Sequence, residues 1–217
     1  MAGIHGSYGL MLDLGDQVTD AQLETLYRAI WALPEVQGPE RTLMQFRTIP
    51  RAAEGQLHLG EGLSSGMYTR FESETLGYPP GWQVPTLLHL SAHGFADSLS
   101  DNVPLQAWLE KTARALYRRF PYRMALAGDL TTYYVNAEFV SADWMDLQAT
   151  HALFMILPKS HPFTAAHKGE GKGKWITYRP QHFQQFASQD TEQQRYQRFK
   201  QSLGKALHTP KIQLSWE

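Results

Sequence analysis

Two stretches decide how this chain is read: Leu23-Glu-Thr-Leu-Tyr-Arg-Ala-Ile-Trp-Ala-Leu-Pro34 and Leu109-Glu-Lys-Thr-Ala-Arg-Ala-Leu-Tyr-Arg-Arg-Phe-Pro121. Both are apolar at helical spacing, both carry Arg-Ala followed by an aliphatic and an aromatic residue, and both stop at proline. Thr19-Asp-Ala-Gln22 has the spacing of a capping box, so the first helix opens at Thr19. In the second, Leu105, Trp108, Leu109, Thr112, Ala113, Leu116, Tyr117 and Phe120 recur at i, i+3, i+4 spacing, predicting a core helix over 104–120. Arg114, Arg118 and Arg119 lie toward its C-terminal end, where the helix dipole favours cations.

Outward from these helices the pattern becomes short and apolar. Residues 7–14, 42–49, 56–59, 67–71, 86–91, 131–141, 150–157 and 175–178 read as strands. Gly128-Asp129 reads as a turn, and 158–174 as a loop. Residues 181–188 and 191–207 read as helices. The predicted class is α+β: two strand-helix-strand, ferredoxin-like halves with antiparallel sheet, spanning 1–78 and 82–178. A Pro/Gly-rich segment at 76–85 divides them, a helical extension covers 179–217, and the whole forms one globular unit.

The chain has 217 residues, enough for a sizeable core. Twenty Lys and Arg against 21 Asp and Glu leave a net charge of −1. Phosphate neutralisation supplies most nucleic-acid affinity, so general nucleic-acid binding is not expected. There is no cysteine, which excludes disulfides, thiolate nucleophiles and Cys-ligated zinc. With no positive n-region at the N-terminus and no apolar run long enough for a bilayer, the expectation is a cytoplasmic protein without membrane contact.

Nine histidines are the main chemical resource. His89 and His93 are i, i+4, but no Glu follows His89, so the zinc-protease helix motif is absent. No third ligand stands at diagnostic spacing, so no metal is expected. His89-Leu-Ser91, framed by apolar residues, resembles the His-x-Ser/Thr half of the two-histidine phosphoesterases. That resemblance implies an imidazole acid and base, with His89, His93 and Ser91 as candidate catalytic residues. No second histidine has a hydroxyl at that spacing: Leu59-Gly60 follows His58, and Ala152-Leu153 follows His151.

Lys168-Gly-Glu-Gly-Lys-Gly-Lys174 is the most distinctive local sequence. Its glycines could expose N–H groups to an anion, making Lys168, Gly169, Gly171, Lys172, Gly173 and Lys174 candidate anion-binding residues. It is not a Walker A loop, because Trp175 stands where Ser or Thr is required. Duplicated α/β halves with a late Gly-rich loop resemble the RAMP proteins that bind CRISPR RNA, although the near-neutral charge and the helices after the loop depart from them. No dinucleotide fingerprint follows a strand, so no cofactor is expected.

These features favour a non-catalytic, bacterial-type protein-binding protein, immunity-like (toxin-neutralising) or an adaptor, whose partner is another protein. Six Trp and ten Tyr suit such an interface. The alternative is a His-dependent phosphodiester hydrolase or RNA-binding nuclease using the 168–174 loop. A structural homo-oligomer subunit is the third reading.

Overall fold

The structure is a computed structural model that describes residues 8–60, 62–73, 85–93, 103–129, 137, 140–171 and 173–207; for His93 and 203–207 it describes the backbone only. Residues 76–84 of the predicted dividing segment, and most of the predicted strand at 131–141, lie outside the described residues.

The chain runs β1 (Tyr8–Asp13), α1 (Asp20–Trp31), β2 (Val36–Phe46), β3 (Ile49–His58), β4 (Ser64–Glu72) and β5 (Leu87–His93). It continues through α2 (Val103–Tyr117), β6 (Met124–Asp129), α3 (Ala142–Gln148), β7 (Ala152–Pro158), α4 (Pro162–Ala166), β8 (Trp175–Tyr178), α5 (Pro180–Gln184) and α6 (Glu192–Leu207). The class is α+β: all eight strands form one antiparallel sheet in the order β2-β3-β4-β5-β1-β6-β7-β8.

β1 is central, and Leu10, Met11 and Leu12 are buried across both faces. From its end α1 crosses to β2 at the far edge, and a meander brings the chain back to β5 beside β1. α2 then crosses over β1 to β6. The two echoing helices are therefore the two crossovers of one continuous sheet. They share a core: Leu23, Leu26 and Ile30 of α1 and Leu105, Leu109, Ala113 and Leu116 of α2 lie with Leu10, Leu12, Leu88 and Leu90.

Thr19 caps α1 as its spacing predicts. Thr19 Oγ1 accepts from the Gln22 N–H at 3.3 Å, and Gln22 Oε1 accepts from the Thr19 N–H at 2.8 Å. Such a cap stabilises a helix by about 1 kcal/mol.

The opposite face has its own core, in which Met11, Leu126, Met155 and Leu157 meet Trp144 and Met145 of α3, Phe163 of α4, Phe183 of α5 and Phe199 of α6. Phe199 is buried, so the C-terminal segment as far as that residue is part of the body. An aspartate hub holds α6 there. Asp146 of α3 accepts from the Ser188 N–H and Oγ, and pairs with Arg195 and Arg198.

Three local expectations need correction. Gly128-Asp129 is the end of strand β6, not a turn. Ala125 and Ala127 pack beneath α2, and a Cβ on Gly128 would strike the His151 carbonyl, so the poor strand formers are there for close packing. The 142–146 segment, between the expected strands at 131–141 and 150–157, opens α3, capped by Ser141. The 158–174 loop contains the short helix α4.

Candidate functional site

Alternation along β5 sends Leu88 and Leu90 toward α1 and α2, and His89 and Ser91 to the opposite face. On neighbouring β4, Arg70 stands opposite His89 and Tyr68 opposite Ser91. Glu72 follows on the same face, and its Oε1 lies 2.8 Å from His89 Nε2, while its Oε2 pairs with Arg70 at 2.8 Å. Burial pushes the Glu72 carboxyl up, but contact with His89 and the charges of Arg70 and Arg51 outweigh it and hold it below the ordinary carboxylate value. A carboxylate set this close to an imidazole has the composition of a base and its orienting partner. Strand β5 reaches His93, opposite Gly66, and its side chain is outside the described residues. Glu72 was not singled out in the sequence, and no local motif marks it; only the β4–β5 register brings it to His89.

His58 finds a hydroxyl across strands: Nδ1 is 2.8 Å from Ser64 Oγ, and Nε2 is 3.3 Å from Gln37 Oε1. It pairs at the Ser64 end of β4, six residues from Arg70 and so about 20 Å from His89. The fold does not bring these two imidazoles together.

The 168–174 loop folds back on β8. Glu170 and Thr177 exchange both backbone hydrogen bonds, at 2.8 and 2.6 Å. A Cβ on Gly169 would meet the side chains of Ile176 and Tyr178, and one on Gly171 the Trp175 carbonyl, so both glycines permit close approach to β8. The Glu170 carboxylate accepts from Arg179 at 2.9 Å and from Gln181 at 2.8 Å. Arg179 also grips Glu110 of α2 through two nitrogens, at 3.0 and 3.1 Å, and Arg114 joins at 2.9 Å. Burial works upward on Glu110, and these guanidinium contacts outweigh it, leaving it below its ordinary value. Lys168, Gly173 and Lys174 are exposed around this network, and Lys172 lies outside the described residues. A carboxylate at the centre of the tract opposes an anion there.

A buried polar clasp was also missed. Asp13 is fully buried and accepts from the N–H groups of Gly15 and Ala137 and from Arg123 Nε. His161 holds the other side of residue 137. Its Nδ1 accepts from the Phe163 N–H at 3.1 Å, which assigns the proton to Nε2, and Nε2 then donates to the Ala137 carbonyl at 2.8 Å. Burial lowers the His161 pKa, against the opposing influence of that carbonyl and of Asp13. The clasp ties the backbone at residues 15, 137 and 163 to Asp13, Arg123 and His161, which makes it a device of stability.

The outer surface of the α1–α2 layer is different. α1 and α2 run in opposite directions: Lys111 reaches Glu35 at 2.6 Å at one end, and Arg119 lines one groove with Thr25 and Arg28 at the other. Between them lies a groove of about 460 Å³ with Ala29, Leu33, Ala115 and Leu116 in its walls and Arg28 and Arg119 at its mouth. The Arg28 side chain is 81% exposed and its guanidinium meets Glu24 only at 3.5 Å. Neither Arg118 nor Arg119 has an ion-pair partner among the described residues.

Among the described residues, no three His, Asp or Glu side chains converge as metal ligands, and no helix is long and apolar enough to cross a membrane. No protein-family model, curated protein or solved structure matches the chain.

Proposed function

We propose that this is a non-catalytic protein-binding protein of the immunity-like or adaptor kind, acting in the cytoplasm, and that it binds through the outer face of α1 and α2. The observation that carries this reading is the α1–α2 groove, with apolar walls and arginines at its mouth that have weak partners or none among the described residues. The sheet edges are poorer docking sites. The Glu170–Thr177 bridge occupies the outer side of β8. β2 carries Pro39, a register break between Gln37 and Arg41, and Met44 at φ 53°, features that block edge-to-edge pairing. They also weigh against a homo-oligomer built by sheet extension.

In place of the two expected ferredoxin-like halves, we propose one enlarged unit as the reading of this topology. β5-α2-β6 with β1 between them is a split β-α-β, and β3 and β4 widen the sheet before β2.

The experiment is photo-crosslinking from Ala32, an exposed groove position, with Gln185 on the far side as control. Binding through this face gives a saturable protein adduct from position 32 and none from 185. Equal labelling from both positions would refute it.

The second reading, a histidine-dependent phosphodiester hydrolase, is favoured by the 2.8 Å contact between Glu72 and His89. It requires turnover of bis(p-nitrophenyl) phosphate or of an RNA dinucleotide, lost in both His89→Ala and Glu72→Gln.

A further inference from the structure

We infer that the α1–α2 groove receives an acidic, amphipathic segment of a partner protein, with a large apolar side chain seated on Ala29, Leu33, Ala115 and Leu116 and carboxylates paired with Arg28 and Arg119. This rests on the protein-binding reading above and adds the chemistry of the partner. The walls offer aliphatic surface with small residues on both banks, which admits a bulky side chain from outside. The mouth is basic from two sides at once, because Arg28 of α1 and Arg119, which follows α2, line the same groove and both are exposed.

Both arginines are free to be re-aimed. The Arg28–Glu24 contact is an exposed i, i+4 pair at 3.5 Å, the kind that contributes little. Arg119 has no ion pair to give up among the described residues. Among the described residues the groove's own walls carry no carboxylate, so an incoming acid meets no repulsion from them. At the other end Lys111 is already committed to Glu35. The charge is therefore directional: a partner segment places its acids toward Arg119 and its apolar residue toward Leu33.

An arginine pair also suits a nucleic-acid backbone, but single-stranded nucleic acid takes much of its binding energy from stacking on aromatic rings. Among the described residues no ring lines the groove. Tyr117, the nearest aromatic on α2, is spent edge-on against Trp175, with ring centroids 3.7 Å apart, and against Tyr122 at 5.1 Å. The apolar walls thus favour a peptide.

The test uses the full chain and a fluorescein-labelled helical peptide with Leu and Phe at i, i+4 spacing and Glu elsewhere, read by anisotropy. Binding is expected, with affinity falling at least about tenfold in the double variant Arg28→Glu/Arg119→Glu and again in Ala32→Trp, which fills the groove from an exposed position. The same peptide with Lys in place of Glu should not bind, and unlabelled single-stranded RNA should not displace the acidic one. Circular dichroism and melting temperature confirm that both variants remain folded. No binding of the acidic peptide, equal binding by the double variant, or displacement by RNA would each overturn the inference. A saturable protein adduct at position 32 that survives the double variant would sink the acidic-segment inference and leave the protein-binding reading standing. Absence of both adduct and peptide binding would sink both.

Discussion

Leu116→Ala tests the core and the groove together. Leu116 is 1% exposed and belongs to the core shared by α1 and α2, yet it also lines the groove. Removing three buried carbons forfeits about 2.4 kcal/mol of transfer free energy at about 0.8 kcal/mol each. A cavity contribution normally raises a Leu→Ala loss into a range of about 2.7–5.0 kcal/mol. At Leu116 the new space opens into the groove, so neighbours and water can fill it, and the cost should fall near about 3 kcal/mol. Leu109 is also 1% exposed but does not line the groove, and its truncation should leave a closed void costing about 4 kcal/mol. For a chain of this size, about 3 kcal/mol corresponds to a melting shift of about 6–12 °C. Urea unfolding followed by both tryptophan fluorescence and circular dichroism measures each loss, and coincident transitions license the comparison. A Leu116→Ala cost below about 1 kcal/mol, or one equal to that of Leu109→Ala, would refute the reasoning.

His161 should make the protein acid-labile above the carboxylate range. Its folded pKa lies below the unfolded value of about 6.5, so the neutral ring's stabilisation is complete above that value and is lost as pH falls toward the folded value. Melting temperatures between pH 7.5 and 5 should therefore decline more steeply in the wild type than in His161→Gln, and parallel curves would contradict the assignment. A second loss should begin near pH 4.5. Glu35, Glu72 and Glu110 all have lowered pKa values, so their stabilisation is present above the unfolded value and is lost on protonation; Glu110→Gln should blunt it. Gly55→Ala should cost about 1–3 kcal/mol, because its Cβ would land on the Gln37 carbonyl and the Trp31 ring; a change within about 0.5 kcal/mol on thermal unfolding would show that β2 can move aside.

The helices and several strands were legible because their signals are local. Thr19 and Gln22 announce α1, the stripe from Leu105 to Leu116 announces α2, and the runs at 8–13, 152–158 and 175–178 stand out as strands. What failed was whatever depends on a neighbour. Arg51-Ala-Ala-Glu-Gly carries little strand propensity, yet it lies inside β3 because β2 and β4 pair on both sides. Met124-Ala-Leu-Ala-Gly needs small residues because a helix and a backbone press on it. The order of strands could not be read either, since the helical echo suggests two halves while the pairing weaves them into one sheet. At the candidate sites, His89 was visible but Glu72 was not. The glycines at 169 and 171 drew attention as an anion cradle, yet in the fold they admit β8. The α1–α2 groove is lined by ordinary alanines and arginines whose meaning comes only from the two helices lying side by side.

The central place of β1 has a consequence for how the chain is made. Tyr8–Asp13 is translated before every other strand of the sheet, but its two partners are β5 and β6, and the second ends only at Asp129. At roughly 5–20 residues per second, the ribosome needs roughly 6–24 s to deliver the intervening stretch of about 120 residues. Until β5 emerges at His93 this strongly apolar strand has no native edge to join, and its second edge stays open until β6 is complete. Assembly of the sheet must follow emergence of its far side, so the nascent chain depends on being shielded from its neighbours until β6 arrives.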